Sequence, residues 1–127
     1  MLTPPDSLSI SVIESISDAE FAVTEILKLT EKVPFIGLDC EWVGNNSTAL
    51  LQLAVFSDSG TKCYLFRLQK FDDKIFELLN NILNENSIIK LGVGIDGDYK
   101  RLLAEGFVDV TKYSFLDLRF LAVQRVG

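Results

Sequence analysis

The sequence contains no histidine. That absence excludes Ser-His-Asp and Cys-His nucleophile systems, imidazole general acid–base chemistry and zinc sites with a histidine ligand. Catalysis is left to carboxylates, lysine, tyrosine or a bound metal ion. Cysteine occurs only at Cys40 and Cys63. A single pair makes no disulfide framework, so the expected setting is a reducing intracellular compartment, with nucleus and mitochondrion both open. No stretch approaches the ~18 uninterrupted apolar residues of a membrane span. The start carries Pro4, Pro5 and Asp6 where a signal peptide needs a basic and then an apolar region. No membrane or leader segment is therefore expected. Basic residues are in deficit, 12 against 18 acidic, for a net charge of −6. That balance argues against an extended basic surface coating nucleic acid without sequence preference. A small cleft that meets anions through a metal stays open. With 127 residues, 48% of them hydrophobic and only 3 prolines and 8 glycines, the chain reads as one globular domain around one core.

Residues 9–13 alternate polar and apolar, the pattern of a short strand. Ser17 and Glu20 form a capping box, and Ala22, Ile26 and Leu29 then recur on one helical face to about Lys32. Residues 34–43 (PFIGLDCEWV) are apolar on both alternating faces except at Asp39 and Glu41, which describes a central strand with acids near its C-terminal end. Turns at Gly44–Asn46 and Ser57–Gly60 separate it from strands at 49–56 and 62–67, an antiparallel meander. An amphipathic helix runs from Phe71 to Leu83, followed by a buried strand over 88–93. A helix from Gly97 to Glu105, closed by Gly106, a short strand within Val108–Asp117 and a helix from Leu118 to Val126 complete the order. This succession predicts an α/β fold, a mixed sheet with helices on both faces.

Asp39 and Glu41 are two apart on a strand, so both carboxylates leave one face, with Cys40 and Trp42 opposite. A polar strand end wetted by solvent is the ordinary reading of such a pair. Here Phe35, Ile36, Leu38, Cys40, Trp42 and Val43 surround it. Like charges in partly dry surroundings are costly unless a cation shares them, and an oxygen-bound divalent ion is the simplest such cation. The segment GVGIDGD carries Gly92, Gly94 and Gly97 in dinucleotide-binding spacing, with Asp117 about twenty residues on. Asp96 and Asp98 sit where a pyrophosphate needs neutral or positive surroundings, so nicotinamide and flavin cofactors are not expected. Taken alone, Asp98 would be a helix-dipole acid.

LDCEW (38–42), LLQLAVF (50–56), KCYLFR (62–67) and KLGVGIDGDYKRL (90–102) resemble the first two motifs of the DEDD 3′ to 5′ exonucleases. The nearest-looking branch is that of the Werner-type exonuclease domain and exonuclease 3′-5′ domain-containing protein 2, and FLDLRFLAVQR (115–125) favours the second. The likeness runs in unbroken order from about Pro34 to the end. It implies a ribonuclease H-like fold, the motif I acids at Asp39 and Glu41, the motif II acid at Asp98, and a two-metal site for Mg²⁺ or Mn²⁺ acting on a nucleic-acid 3′ end, DNA or RNA. In this DEDDy-type family a motif III Tyr and Asp come from a later helix. Tyr113 and Asp117 have the right mutual spacing but follow motif II too soon, and are expected to be a decoy. Residues 1–127 are thus expected to form the N-terminal portion of a single exonuclease domain, with little activity alone. The alternative is a non-catalytic nucleic-acid or protein interaction module that keeps the fold. Trp42 and Leu50 or Leu51 are candidates to flank a terminal base, and Tyr99, Lys100 and Arg101 to approach phosphate; core packing and a solvated helix face are their ordinary roles.

Overall fold

The computed structural model describes residues 8–43, 47–107 and 114–119, with the backbone alone for 42, 43 and 47–49. In chain order the elements are β1 (Leu8–Ile13), α1 (Ile16–Leu29), β2 (Phe35–Val43), β3 (Ser47–Ser57), β4 (Gly60–Phe66), α2 (Lys74–Leu83), β5 (Ile89–Gly92), α3 (Ile95–Ala104) and β6 (Phe115–Asp117). They build a six-stranded sheet in the order β1-β4-β3-β2-β5-β6. The meander β2-β3-β4 is antiparallel, while β1, β5 and β6 join it in parallel. This is the mixed α/β sheet that the strand and helix order predicted.

Alternation along the strands separates two faces. Ile36 and Leu38 of β2, Leu51, Leu53 and Val55 of β3, and Tyr64 and Phe66 of β4 are buried on one of them. There they meet Ala22 and Ile26 of α1 and Ile75, Leu79 and Ile82 of α2. Each large aliphatic side chain removed from water in this layer contributes roughly 1.5–3 kcal/mol. Tyr99 of α3 reaches the same face against Phe115, with ring centroids 5.4 Å apart, and Phe107 stacks edge-on against Phe76 of α2 at 4.7 Å. Helices were expected on both faces; among the described residues all three lie on one. Among the described residues the other face is open and largely apolar. It carries Gly37, Asp39, Ala54, Cys63 and Leu91, flanked by exposed Leu8, Ile10, Val12, Phe35 and Ile89. Cys40 and Cys63 are free thiols on opposite faces.

Local geometry corrects several boundaries. Ser15, in extended conformation, caps α1 by accepting the Asp18 N–H at 3.2 Å, so the Ser17–Glu20 box is not the cap. Leu68–Lys70 form a separate 3₁₀ turn and Phe71 is extended, which delays α2 to Lys74. Gly94, with φ of +69°, makes the left-handed turn from which α3 starts at Ile95 rather than Gly97. Gly106, with φ of +109°, ends that helix as predicted. Of the last strand, Phe115–Asp117 is seen and 108–113 lie outside the described residues. Of the last helix, Leu118 and Arg119 are helical and 120–127 lie outside. Among the described residues no helix is long and apolar enough to cross a membrane.

Lys90 is buried completely in the helical layer. Its ammonium donates to the Glu85 carbonyl at 2.8 Å and to Ser114 Oγ at 3.1 Å, and lies 5.6 Å from the Phe115 ring centroid. Burial lowers its pKa from the ordinary 10.5 to about 8, with the charge of Glu85 opposing. Between those values the unfolded chain holds more protons than the folded one, so the Lys90 contribution to stability rises with pH through that window. Tyr64 and both thiols pull the other way at high pH, because burial favours their protonated forms. Comparison with Lys90→Met isolates the lysine. In urea unfolding, the stability of wild type relative to the variant is expected to gain roughly 2–3 kcal/mol between neutral pH and the upper end of the window. A pH-independent difference would mean that the ammonium is solvated.

Candidate active site

The site begins with strand alternation on β2. Asp39 and Glu41 project from the open face and are exposed, while Cys40 between them is buried on the helical side. Asp39 pairs across the strand with Gln52 and Glu41 with Leu50; immediately after Glu41 a bulge shifts the register so that Trp42 meets Thr48. Bulges re-aim neighbouring side chains, and this one separates the two acids from the strand end. Gly37, Asp39, Gln52, Cys63, Leu91 and Gly92 line a groove of about 380 Å³ on the open face. Glu41 borders a second pocket of about 220 Å³ with Leu50, Arg67, Gln69 and Lys70.

Asp98 arrives from β5 and α3. Gly37 of β2 is the parallel partner of Leu91, so β5 runs toward the same end of the sheet. At Gly92 an added Cβ would lie 2.6 Å from the Leu38 carbonyl oxygen, one residue before Asp39. Only glycine permits this approach, which carries the turn at Gly94 and the first turn of α3 up to the acid-bearing end of β2. Asp98 lies in that first turn and is 8% exposed. Burial first, then the charges of Asp98 and Asp39, push the Cys40 thiol well up.

Asp117 has a different task. Its carboxylate accepts the Gly94 N–H at 3.1 Å and the Arg119 N–H at 2.9 Å, and pairs with the Arg119 guanidinium at 3.2 Å. The bonds from Arg119 hold its carboxyl below the usual range. Gly94 supplies no side-chain cap to α3, so an acid 23 residues away does so. The anion position of the apparent dinucleotide motif is thus filled by the protein's own carboxylate. Tyr113, the other half of the decoy pair, lies outside the described residues.

The structure brings Asp39 and Glu41 to the open face of β2 and buries Asp98 in the first turn of α3, on the helical side of the same sheet end. It does not gather all three into a cage: among the described residues, no three of His, Cys, Asp and Glu are grouped to hold one ion. Leu50 borders the Glu41 pocket, whereas Leu51 is wholly buried and is core, not a base platform. Tyr99 packs on Phe115, the core role; Lys100 is exposed, and Arg101 is half-buried and engaged in its own contacts. The Trp42 side chain lies outside the described residues.

A family model described as 3′-5′ exonuclease matches residues 14–122. The chain belongs to the 3′-5′ exonuclease family. Among relatives of the chain, exonuclease 3′-5′ domain-containing protein 2 of Drosophila melanogaster is 36% identical over 120 residues, covering 90% of the chain and 20% of the relative. The Homo sapiens protein of the same name is 38% identical over 102 residues, covering 75% and 16%. The crystal structure of the EXD2 exonuclease domain soaked in Mn and dGMP superposes with a TM-score of 0.78 at 31% identity, over 92% of this chain and 59% of that one. The fold of the chain is therefore that of the EXD2 exonuclease domain, ribonuclease H-like, and the chain spans less than two thirds of each of these relatives.

Two features of the site leave no trace in sequence spacing. Asp117 caps α3 from 23 residues away, and an acid can do so from any distance in sequence. Arg67 and Lys70 line the Glu41 pocket, yet nothing local in the sequence ties the end of β4 to Glu41.

Proposed function

We propose that the chain is the N-terminal portion of a metal-dependent 3′ to 5′ exonuclease domain hydrolysing nucleic-acid phosphodiesters from the 3′ end, in an intracellular setting. The observation that carries this reading is the close approach of Gly92 to the Leu38 carbonyl, which sets the start of α3, with Asp98 in its first turn, against the end of β2 that bears Asp39 and Glu41. The donor set is all carboxylate, the chemistry that hard divalent cations take. It fits Mg²⁺ or Mn²⁺ in kind and in its place at one end of the sheet, though not as a closed three-ligand cage. Asp39, Glu41 and Asp98 would hold the ion, which when bound supplies positive charge at a scissile phosphodiester. Leu50 offers an apolar surface beside Glu41 for a sugar or base, and the groove next to Asp39 admits a strand end. The open arrangement of the acids favours a second reading, an interaction module that keeps the fold without the chemistry.

A 5′-labelled oligonucleotide incubated with Mn²⁺ separates the two. A chain lengthened to span the relatives' whole domain is expected to shorten the labelled strand stepwise from its 3′ end, and the 127-residue chain to do so far more weakly. No shortening by either would leave the interaction module.

A further inference from the structure

The pocket beyond Glu41 has a composition that the carboxylates do not account for. One wall is Glu41 and Leu50, adjoining the proposed metal ligands; the other is Arg67, Gln69 and Lys70, from the end of β4 and the 3₁₀ turn after it. The pairing of Leu51 with Phe66 sets this turn beside the Glu41 end of β3. Its volume, about 220 Å³, is below the ~300 Å³ at which sites for whole small ligands begin. Such a pocket suits one part of a longer molecule.

Cations are scarce on a chain of net charge −6, and others near the sheet have fixed duties. Lys62 pairs with Glu25, Arg119 with Asp117, and Lys90 is buried. Arg67 meets Glu14 at 2.9 Å, but both side chains are about half exposed, 54% and 46%. Such a pair is weak in water and yields readily to a phosphate that takes a guanidinium in a charge-assisted, two-pronged contact. Lys70 is exposed at the same rim.

Resting on the exonuclease reading, we infer that Arg67 and Lys70 form a backbone-phosphate subsite for the substrate strand, next to the acids that meet the scissile phosphate. Leu50 supplies the apolar floor for the intervening sugar. The subsite also explains how an acidic chain would hold a polyanion: Asp39, Glu41 and Asp98 would hold an ion that offsets the charge of the reacting phosphate, and these two side chains hold a neighbouring one. Arg67 and Lys70 are positioning residues, since they touch substrate away from the bond that breaks.

The test is binding of a fluorescein-labelled oligothymidylate to the full chain in Mn²⁺, by anisotropy across a salt series. Arg67→Ala with Lys70→Ala is expected to weaken Kd on the order of tenfold and to lower the slope of log K against log salt by ~1.4, the share of two single-strand phosphate contacts. Lys32→Ala, at the opposite end of the strands beside Phe56 and Asp58, is expected to change neither. Calorimetric Mn²⁺ affinity should stay the same in the double variant, and thermal melting reports the fold. Tight binding by wild type with an unchanged Kd and slope in the double variant overturns the subsite alone. No oligonucleotide binding by wild type overturns the nucleic-acid reading beneath it.

Discussion

Asp39→Asn is expected to remove most of the response of this chain to Mn²⁺ while leaving its fold intact. The substitution keeps shape and deletes a charge at an exposed position on the open face of β2, so unfolding should move by no more than ~0.5 kcal/mol. The ion loses a hard anionic donor, and calorimetric affinity should fall by well over tenfold. In a chain lengthened to the whole domain, 3′-end release should drop on the order of 10²–10³-fold, the loss seen when one group aimed at developing charge is removed. Asp98→Asn should lose the ion as well, with an added stability cost because Asp98 is 8% exposed and engaged in contacts of its own. Unchanged Mn²⁺ affinity in Asp39→Asn would place the ion elsewhere and remove the reason for treating β2 as the site.

Gly92→Ala is expected to be the most damaging single methyl group that can be added near the site. The new Cβ would stand 2.6 Å from the Leu38 carbonyl oxygen and 3.2 Å from Ile95 Cδ1. A backbone oxygen held in a sheet cannot step aside, so β5 must move away from β2, at about 1–3 kcal/mol or somewhat more. The same movement carries α3 and Asp98 away from Asp39, and Mn²⁺ affinity should fall together with the melting temperature. The other two glycines of the apparent dinucleotide motif give contrasting results. Gly94→Ala forces a side chain into the left-handed region, at roughly 1–2 kcal/mol, though the nearest atom is Arg119 Nη2 at 3.7 Å. At Gly97 nothing lies within 4 Å, and alanine there should stabilise α3 by up to about 1 kcal/mol. Urea unfolding of the three variants ranks them, and a Gly92→Ala protein as stable as wild type would show that the contact with Leu38 is not tight.

The three glycines mark the limit of the motif as text. Their spacing matched a phosphate loop, yet one is held by a neighbouring strand, one by a turn and one by nothing in particular. Asp117 completed the textual match and serves as the helix cap. The spacing of a motif does not report which chain segment lies against it.

The sequence by itself determined the order of the described elements and the shared face of Asp39 and Glu41. These are matters of period: alternation on a strand and recurrence on a helix are local, and a central strand apolar on both sides except at two acids stands out without any neighbour. The unbroken order of motifs from Pro34 onward determined the family for the same reason, since chain order survives folding. The tertiary structure decided everything that depends on which distant group meets which. Ser15 rather than Ser17 caps α1, because the turn out of β1 sets which hydroxyl reaches a free N–H. An acid from β6 caps α3, since an orphan donor takes whatever acceptor the fold brings near. Lys90 goes into the core because Ser114, Glu85 and Phe115 surround it there. Arg67 and Lys70 stand beside Glu41 because β3 turns the chain back through β4, a proximity with no trace in spacing. All three described helices share one sheet face because α1 and α2 pack on each other and α3 follows β5 onto Phe115. Periodicity states that a helix has a buried side; only the pairing of strands fixes which layer that side joins.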